Sequence, residues 1–158
     1  MRKLAILILV VGAAASLAPT AMSEQQRRPT LTAHASRFGK VLFDARGFVL
    51  YGFTRDRRRS ACYGACAKAW PPYWAPKGTL TVGSGVKRSL LGTVKRRNGR
   101  RQVTYAGHPL YLYAGDASPG DTNGQGVDGT WFAVDADGEK VDADKSSGGG
   151  GGGGGYGY

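Results

Sequence analysis

The only two cysteines of the chain, Cys62 and Cys66, stand with three residues between them in "CYGACAKAWPPYW" (62–74), which also holds two of the three tryptophans. Thiols so spaced can clamp a metal, cycle as a redox dithiol, or close as a disulfide. A zinc site takes four nitrogen or sulfur ligands, or three and a water. Besides carboxylates, the chain offers only Cys62, Cys66, His34 and His108. A thioredoxin-type pair has two intervening residues before a helix in a βαβ unit, and haem attachment needs a histidine where Ala67 stands. Copper is the strongest chemical rival, because two thiolates and an imidazole suit a soft ion. The alternative ligand set is therefore Cys62, Cys66 and His108.

Closing the pair as a disulfide asks for less. On an ideal helix the two β-carbons would lie about 5–6 Å apart, beyond the ~3.8 Å a disulfide prefers. Gly64, between them, lets the backbone tighten into a turn. So small a loop restrains the unfolded chain by about 2 kcal/mol, and its work is local: fixing the turn that carries Trp70 to the core.

Other candidate sites are weaker. Asp121, Asn123, Gln125 and Gly126 take the first, third, fifth and sixth positions of a calcium loop, but Phe132 stands where the bidentate glutamate belongs. His108 lies in a turn before Pro109, with no serine, cysteine or carboxylate beside it in sequence to complete a catalytic set. No nucleophile elbow, zincin helix or phosphate loop is found. The expectation is a non-enzymatic protein with no cofactor and no metal, copper being the alternative.

The formal charge is +11, and arginines cluster: Arg55, Arg57, Arg58 and Arg59; then, after Lys87 and Arg88, Lys95, Arg96, Arg97, Arg100 and Arg101. A charge of this size attracts polyanions and says nothing of fold. No motif for specific nucleic-acid recognition accompanies it. The expected partners are anionic envelope components, held by Arg57, Arg58, Arg59, Arg96, Arg97, Arg100 and Arg101. No signal for an oligomeric state is present.

The segments that position these groups can be read in order. Residues 1–23, "MRKLAILILVVGAAASLAPTAMS", have a basic start, an apolar run and a small-residue exit, the pattern of a secretory signal peptide. Gly12, Ser16 and Pro19 interrupt the ~20 apolar residues a spanning helix needs, so no transmembrane anchor is expected after cleavage. Export implies a periplasmic or secreted protein, where disulfides persist. Residues 24–37 are polar with little periodicity and read as a disordered linker. Residues 145–158, rich in glycine, read as a disordered tail whose sticky groups are Tyr156 and Tyr158. The folded domain is then 38–144.

Within it the chain repeats. Shifted by sixty residues, 38–56 lies on 98–116: Gly39 on Gly99, Gly47 on Gly107, Leu50-Tyr51 on Leu110-Tyr111, Phe53 on Tyr113, Asp56 on Asp116. Trp70 and Trp131 follow at matching distances, giving pseudo-repeats of about 38–75 and 91–135. Val41–Phe43 and Val49–Phe53 flank the turn residues Ala45-Arg46-Gly47, Asn98-Gly99 is a two-residue hairpin signal, and Asp137-Gly138 sits in a last hairpin. Only Ala61–Ala69 suggests a short helix, ended by Pro71-Pro72. The fold class is all-β, mostly antiparallel hairpins. Tyr51, Phe53, Tyr111, Tyr113, Trp70 and Trp131 are expected in the core, with Asp56 and Asp116 capping the turns that follow them.

"YGFTRD" and "YLYAGD", with "CYGACAKAWPP", "QVTYAGHPLY" and "GDTNGQGVDGTWFAV", resemble the bacterial secreted-repeat family of unknown function over about Gly39–Val134. Many of its members carry a lipobox cysteine and a lipoprotein label. This chain has no such cysteine, so the label does not carry over. The resemblance implies an exported repeat domain and brings no activity, cofactor or catalytic residue. Two functions follow as expectations: a non-enzymatic β-domain associated with the cell envelope, or a periplasmic copper or thiol-redox protein using the cysteines.

Overall fold

A computed structural model describes residues 30–141. The chain forms strands β1 (Thr32–Ser36), β2 (Gly39–Phe43) and β3 (Tyr51–Phe53), a single-turn helix α1 (Ala65–Ala69), then β4 (Leu91–Lys95), β5 (Arg101–Tyr105), β6 (His108–Pro109) and β7 (Trp131–Ala133). The strands pair antiparallel as β1-β2, β3-β7 and β4-β5-β6, so the described residues are all-β apart from α1 and two 3-10 turns.

One turn is used three times. At Asp44–Phe48, Arg96–Arg100 and Asp135–Glu139 the first residue's N–H donates to the fifth residue's carbonyl, and the N–H of the fourth, a glycine, donates back to the first. Gly47, Gly99 and Gly138 have φ of 90°, 81° and 92°, where a side chain would be strained. This is a type I turn closed by a left-handed glycine, spanning three residues. The Asn98-Gly99 hairpin therefore has a three-residue rather than a two-residue loop. Asp44 and Asp135 strengthen their turns by accepting two backbone N–H bonds each.

The expected disordered linker is corrected in part. From Thr30 onward the chain is folded, with Leu31 and Ala33 buried and β1 registered on β2 from Thr32↔Phe43 to Ser36↔Gly39. The folded part thus includes at least the eight residues before the expected start at 38. The reason is nonlocal: Leu31 forms a parallel bridge to Val82, and Ala33 N–H donates to Ser84 O at 2.9 Å. β1 pairs locally with β2, but two apolar residues in alternation are too weak a signal to reveal a strand whose other edge is held by residues fifty positions on. The signal-peptide and glycine-tail assignments, and residues 24–29, lie outside the described residues.

The strand endings are exchanged between the repeats. In the first repeat, Leu50 N–H donates to Leu42 O, and the gap is closed by Val134 of the second repeat, which donates to Leu50 O and accepts from Leu42 N–H. In the second, Leu110 N–H donates to Val103 O, and Tyr73 of the first repeat donates to Leu110 O and accepts from Val103 N–H. Each hairpin is completed by the tryptophan-bearing segment of the other. The two hairpins meet where Tyr51 and Tyr111 exchange backbone hydrogen bonds, both 2.9 Å. Alternation along these strands feeds two cores: Tyr51, Tyr111, Trp70 and Trp131 enter one, Leu50, Leu110, Val103 and Val134 the other. The motif strands are therefore covered on both faces.

Candidate functional site

The repeated tyrosines and aspartates form a crossed pair of bonds. Tyr51 donates its hydroxyl to Asp116 at 2.7 Å, and Tyr111 donates to Asp56 at 2.8 Å. Each carboxylate also caps its own turn: Asp56 accepts from Ala61 N–H at 2.7 Å, Asp116 from Asn123 N–H at 2.8 Å. The capping role read from the sequence is present, and the tyrosine of the opposite repeat is added to it. Burial pushes the carboxyls of Asp56 and Asp116 above the usual carboxylate range, against the opposing pull of these hydrogen bonds. Burial first, then the neighbouring aspartate, drives the Tyr51 hydroxyl far above an ordinary phenol. Burial does the same at Tyr111, where the Asp56 charge adds to it and the Ser60 bond opposes.

The tryptophans stack face to face where the repeats meet. Trp70 and Trp131 have ring centroids 3.9 Å apart and planes within 2°. Phe53 stacks on Trp131 at 4.2 Å and Tyr113 on Trp70 at 4.3 Å, making a four-ring column. Tyr51 and Tyr111 meet the tryptophans edge-on at 5.4 and 5.1 Å, a geometry worth about 0.5–1.5 kcal/mol per pair beyond the area buried. Only the end rings, Phe53 and Tyr113, are half-buried. Among the described residues the buried polar side-chain atoms of this assembly all have hydrogen-bond partners.

Cys62 and Cys66 are joined as a disulfide, with Gly64 at φ 58° between them. The sulfurs required by the copper alternative are thus bonded to each other. His108 opens β6 opposite Tyr105, and burial lowers its pKa. Among the described residues no three His, Cys, Asp or Glu side chains gather closely enough to hold a metal ion. The loop considered for calcium uses its side chains locally: Asp121 accepts from Ala117 and Ser118 N–H, and Asn123 donates to Gly115 O. Gln125 donates to Val141 O and accepts from Ala133 N–H.

The arginines behave in three different ways. Arg96 is corrected from a surface residue to a buried one, 6% exposed. Its guanidinium donates to Ser60 Oγ and the Cys62 carbonyl, and to Gln102 Oε1 at 2.7 Å. Ser60 Oγ in turn meets the Tyr111 hydroxyl at 2.7 Å, so Arg96 extends the crossed motif outward. Its neighbours Arg97 and Arg100 are exposed and lie on aromatic faces, Arg97 over Tyr63 at 4.5 Å and Arg100 over Trp74 at 3.8 Å. The Arg96 guanidinium sits 4.3 Å from the Tyr63 ring and 5.7 Å from Trp74. Arg57, Arg58 and Arg101 are exposed, and Arg101 donates to Thr93 Oγ1.

Two basic clusters far apart in sequence thus meet. A hollow of about 510 Å³ is lined by Arg59 and Ser60 from one side and by Lys95, Arg96 and Arg97 from the other, with Tyr63 between them. It shares Tyr63, Arg96 and Arg97 with a second hollow of about 370 Å³ floored by Pro71, Pro72 and Trp74. No carboxylate lines either hollow. The sequence reading missed Tyr63, Trp74, Ser60 and Gln102. Trp74 could have been found, because Tyr73 and Trp74 follow the helix-breaking prolines in extended chain, where neighbours point opposite ways. Tyr73 goes inward to donate to Thr30 O.

Fold and motif together define an all-β domain built from two repeats that complete each other. The chain belongs to the family described as a secreted repeat of unknown function, which matches residues 34–73 and 92–135, the two units whose endings are exchanged. No curated protein and no solved structure matches the chain. Membership makes this an exported protein, secreted or periplasmic. No helix among the described residues is long and apolar enough to cross a membrane.

Proposed function

We propose that this exported domain is a non-enzymatic module that attaches to anionic material of the cell envelope through the face bearing Arg59, Lys95, Arg97 and Arg100. The observation that supports it is the convergence of two basic clusters on one grooved face without a carboxylate in its lining. Cations held close together and unneutralised raise the local concentration of polyanions. The repeat's own tyrosines and aspartates bond to one another in the interior, so the proposal gives them no contact with the ligand.

The test is co-sedimentation of the purified domain with washed envelope fragments over a salt series. Attachment should weaken as added salt shortens the screening length from ~10 Å at 0.1 M toward ~3 Å at 1 M. A variant carrying Arg59→Glu, Arg97→Glu and Arg100→Glu, all exposed positions, should stay in solution while keeping the parent's circular dichroism. Attachment indifferent to both salt and charge reversal would reject the proposal.

A further inference from the structure

Within that basic face, the paired hollows around Tyr63 and Trp74 have the character of a site rather than of a charged surface. We infer that they form a binding subsite for an acidic sugar unit, a pyranose carrying a carboxylate or phosphate, within an envelope polysaccharide. The inference rests on the envelope-binding reading and adds to it a ligand class and a location.

Arg96 is the first ground. It is buried and makes no direct ion pair, those of the described residues being Asp44–Arg46 and Lys87–Asp137; the nearby Asp56 carboxylate, which feels its charge, is linked to it only through Ser60 and Tyr111. A buried charge is costly unless it is paired and hydrogen-bonded. Here the groups bonded directly to it are neutral acceptors, with two ring faces beside it, so it adds positive potential to the hollows it lines.

The second ground is rigidity. Arg97, Tyr63, Arg96, Trp74 and Arg100 alternate cation and ring. Arg97 and Arg100, both exposed, sit over aromatic faces, and a guanidinium there can present its planar N–H fork to a carboxylate or phosphate. Side chains held this way lose less freedom on binding than solvated ones.

The third is the mixed lining. Pro71, Pro72, Ala67 and Trp74 give the smaller hollow an apolar floor, while Arg96, Arg97 and Asn98 give it a polar rim. Its volume of about 370 Å³ lies in the ~300–1,000 Å³ range of small-ligand sites. A sugar ring with one acidic group presents the same division, an apolar C–H face and an anionic edge. The adjoining hollow, with Arg59 and Lys95, would take the next acidic unit of a linear chain.

The last ground is asymmetry. Tyr73 and Val134 play equivalent parts in the two exchanged strands, so Trp74 is matched by Asp135. The hollow beside Asp135 is lined by Asp137 and Glu139 as well as Lys40 and Lys140. The position equivalent to Trp74 is thus lined differently, and the repeat scaffold does not by itself require an arginine–aromatic groove there.

Calorimetric titration tests this with trigalacturonate, mannose 6-phosphate, neutral galactotriose and inorganic phosphate. The double variant Arg97→Lys/Arg100→Lys keeps the charge and removes the planar forks at exposed positions. Binding of trigalacturonate or mannose 6-phosphate, no binding of galactotriose, and at least a tenfold loss in the lysine variant would support the site; the preferred acid identifies carboxylate or phosphate. Failure of both acidic sugars would overturn it. So would equal binding of galactotriose, equal affinity in the lysine variant, or inorganic phosphate binding as tightly as the sugars. If the lysine variant still sediments with envelope fragments in a salt-sensitive way, the envelope reading stands whatever becomes of the subsite. Loss of sedimentation in the parent would sink the envelope reading by itself.

Discussion

If the tyrosine of each repeat bonds the aspartate of the other, mutations must couple across the repeats and not within them. The perturbation is a set of four double-mutant cycles using Tyr111→Phe, Tyr51→Phe, Asp56→Asn and Asp116→Asn. Tyr111→Phe removes a hydroxyl that donates to buried Asp56 at 2.8 Å and also meets Ser60. A hydrogen bond to a charged group contributes about 1.5–3 kcal/mol. With a urea m-value of ~1–3 kcal/mol/M, a loss near 2 kcal/mol moves the midpoint by about 1 M. The crossed pairs Tyr111/Asp56 and Tyr51/Asp116 should show coupling of roughly 1–3 kcal/mol, while the within-repeat pairs Tyr111/Asp116 and Tyr51/Asp56 share no hydrogen bond and should add to within ~0.5 kcal/mol. Urea unfolding followed by tryptophan fluorescence gives all eight variants and the parent on one scale. Coupling within the repeats and additivity across them would refute the exchanged arrangement.

Three further outcomes are expected. Tyr51, Tyr111 and Tyr73 all have hydroxyls pushed upward by burial, Tyr73 to about 12. The unfolded chain therefore loses protons first, and stability should fall above about pH 10 by as much as ~4 kcal/mol per pH unit from the three together; a flat denaturation midpoint between pH 9 and 11 would contradict this. Reducing the Cys62–Cys66 bond should cost only about 2 kcal/mol, because the loop it closes is so short, and differential scanning calorimetry with and without reductant would detect a larger loss. Gly124→Ala would place a β-carbon 2.7 Å from the Tyr51 ring and 2.9 Å from Trp70, an overpacking worth about 1–3 kcal/mol. A thermal melt matching the parent would show that the tyrosine–tryptophan junction yields more easily than its packing implies.

Local chemistry accounts for what could be read along the chain. Glycines at the turn positions, alternating apolar residues and the sixty-residue recurrence depend on neighbours a few residues away, so the hairpins, the repeat and the all-β class were legible. So was the closeness of Cys62 and Cys66, since three residues with a glycine among them can close only a tight turn. The capping duty of Asp56 and Asp116 is equally local, with acceptor and donor five and seven residues apart. Pairing between distant segments is another matter. Trp70 and Trp131 follow the tyrosines of their own hairpins at matching distances, which suggests pairing within each repeat, yet a strand carries the same hydrogen-bonding pattern whichever hairpin it joins. Only the tertiary structure decides for exchange, because only there do both tryptophans stack while both tyrosines reach a carboxylate. The same holds for the outer edge of Leu31 and Ala33, bonded near residues 82–84, and for Arg96. In sequence Arg96 is one cation in a basic run; folded, it meets Ser60, the Cys62 carbonyl and Gln102, and that burial separates it from Arg97 and Arg100 on the surface.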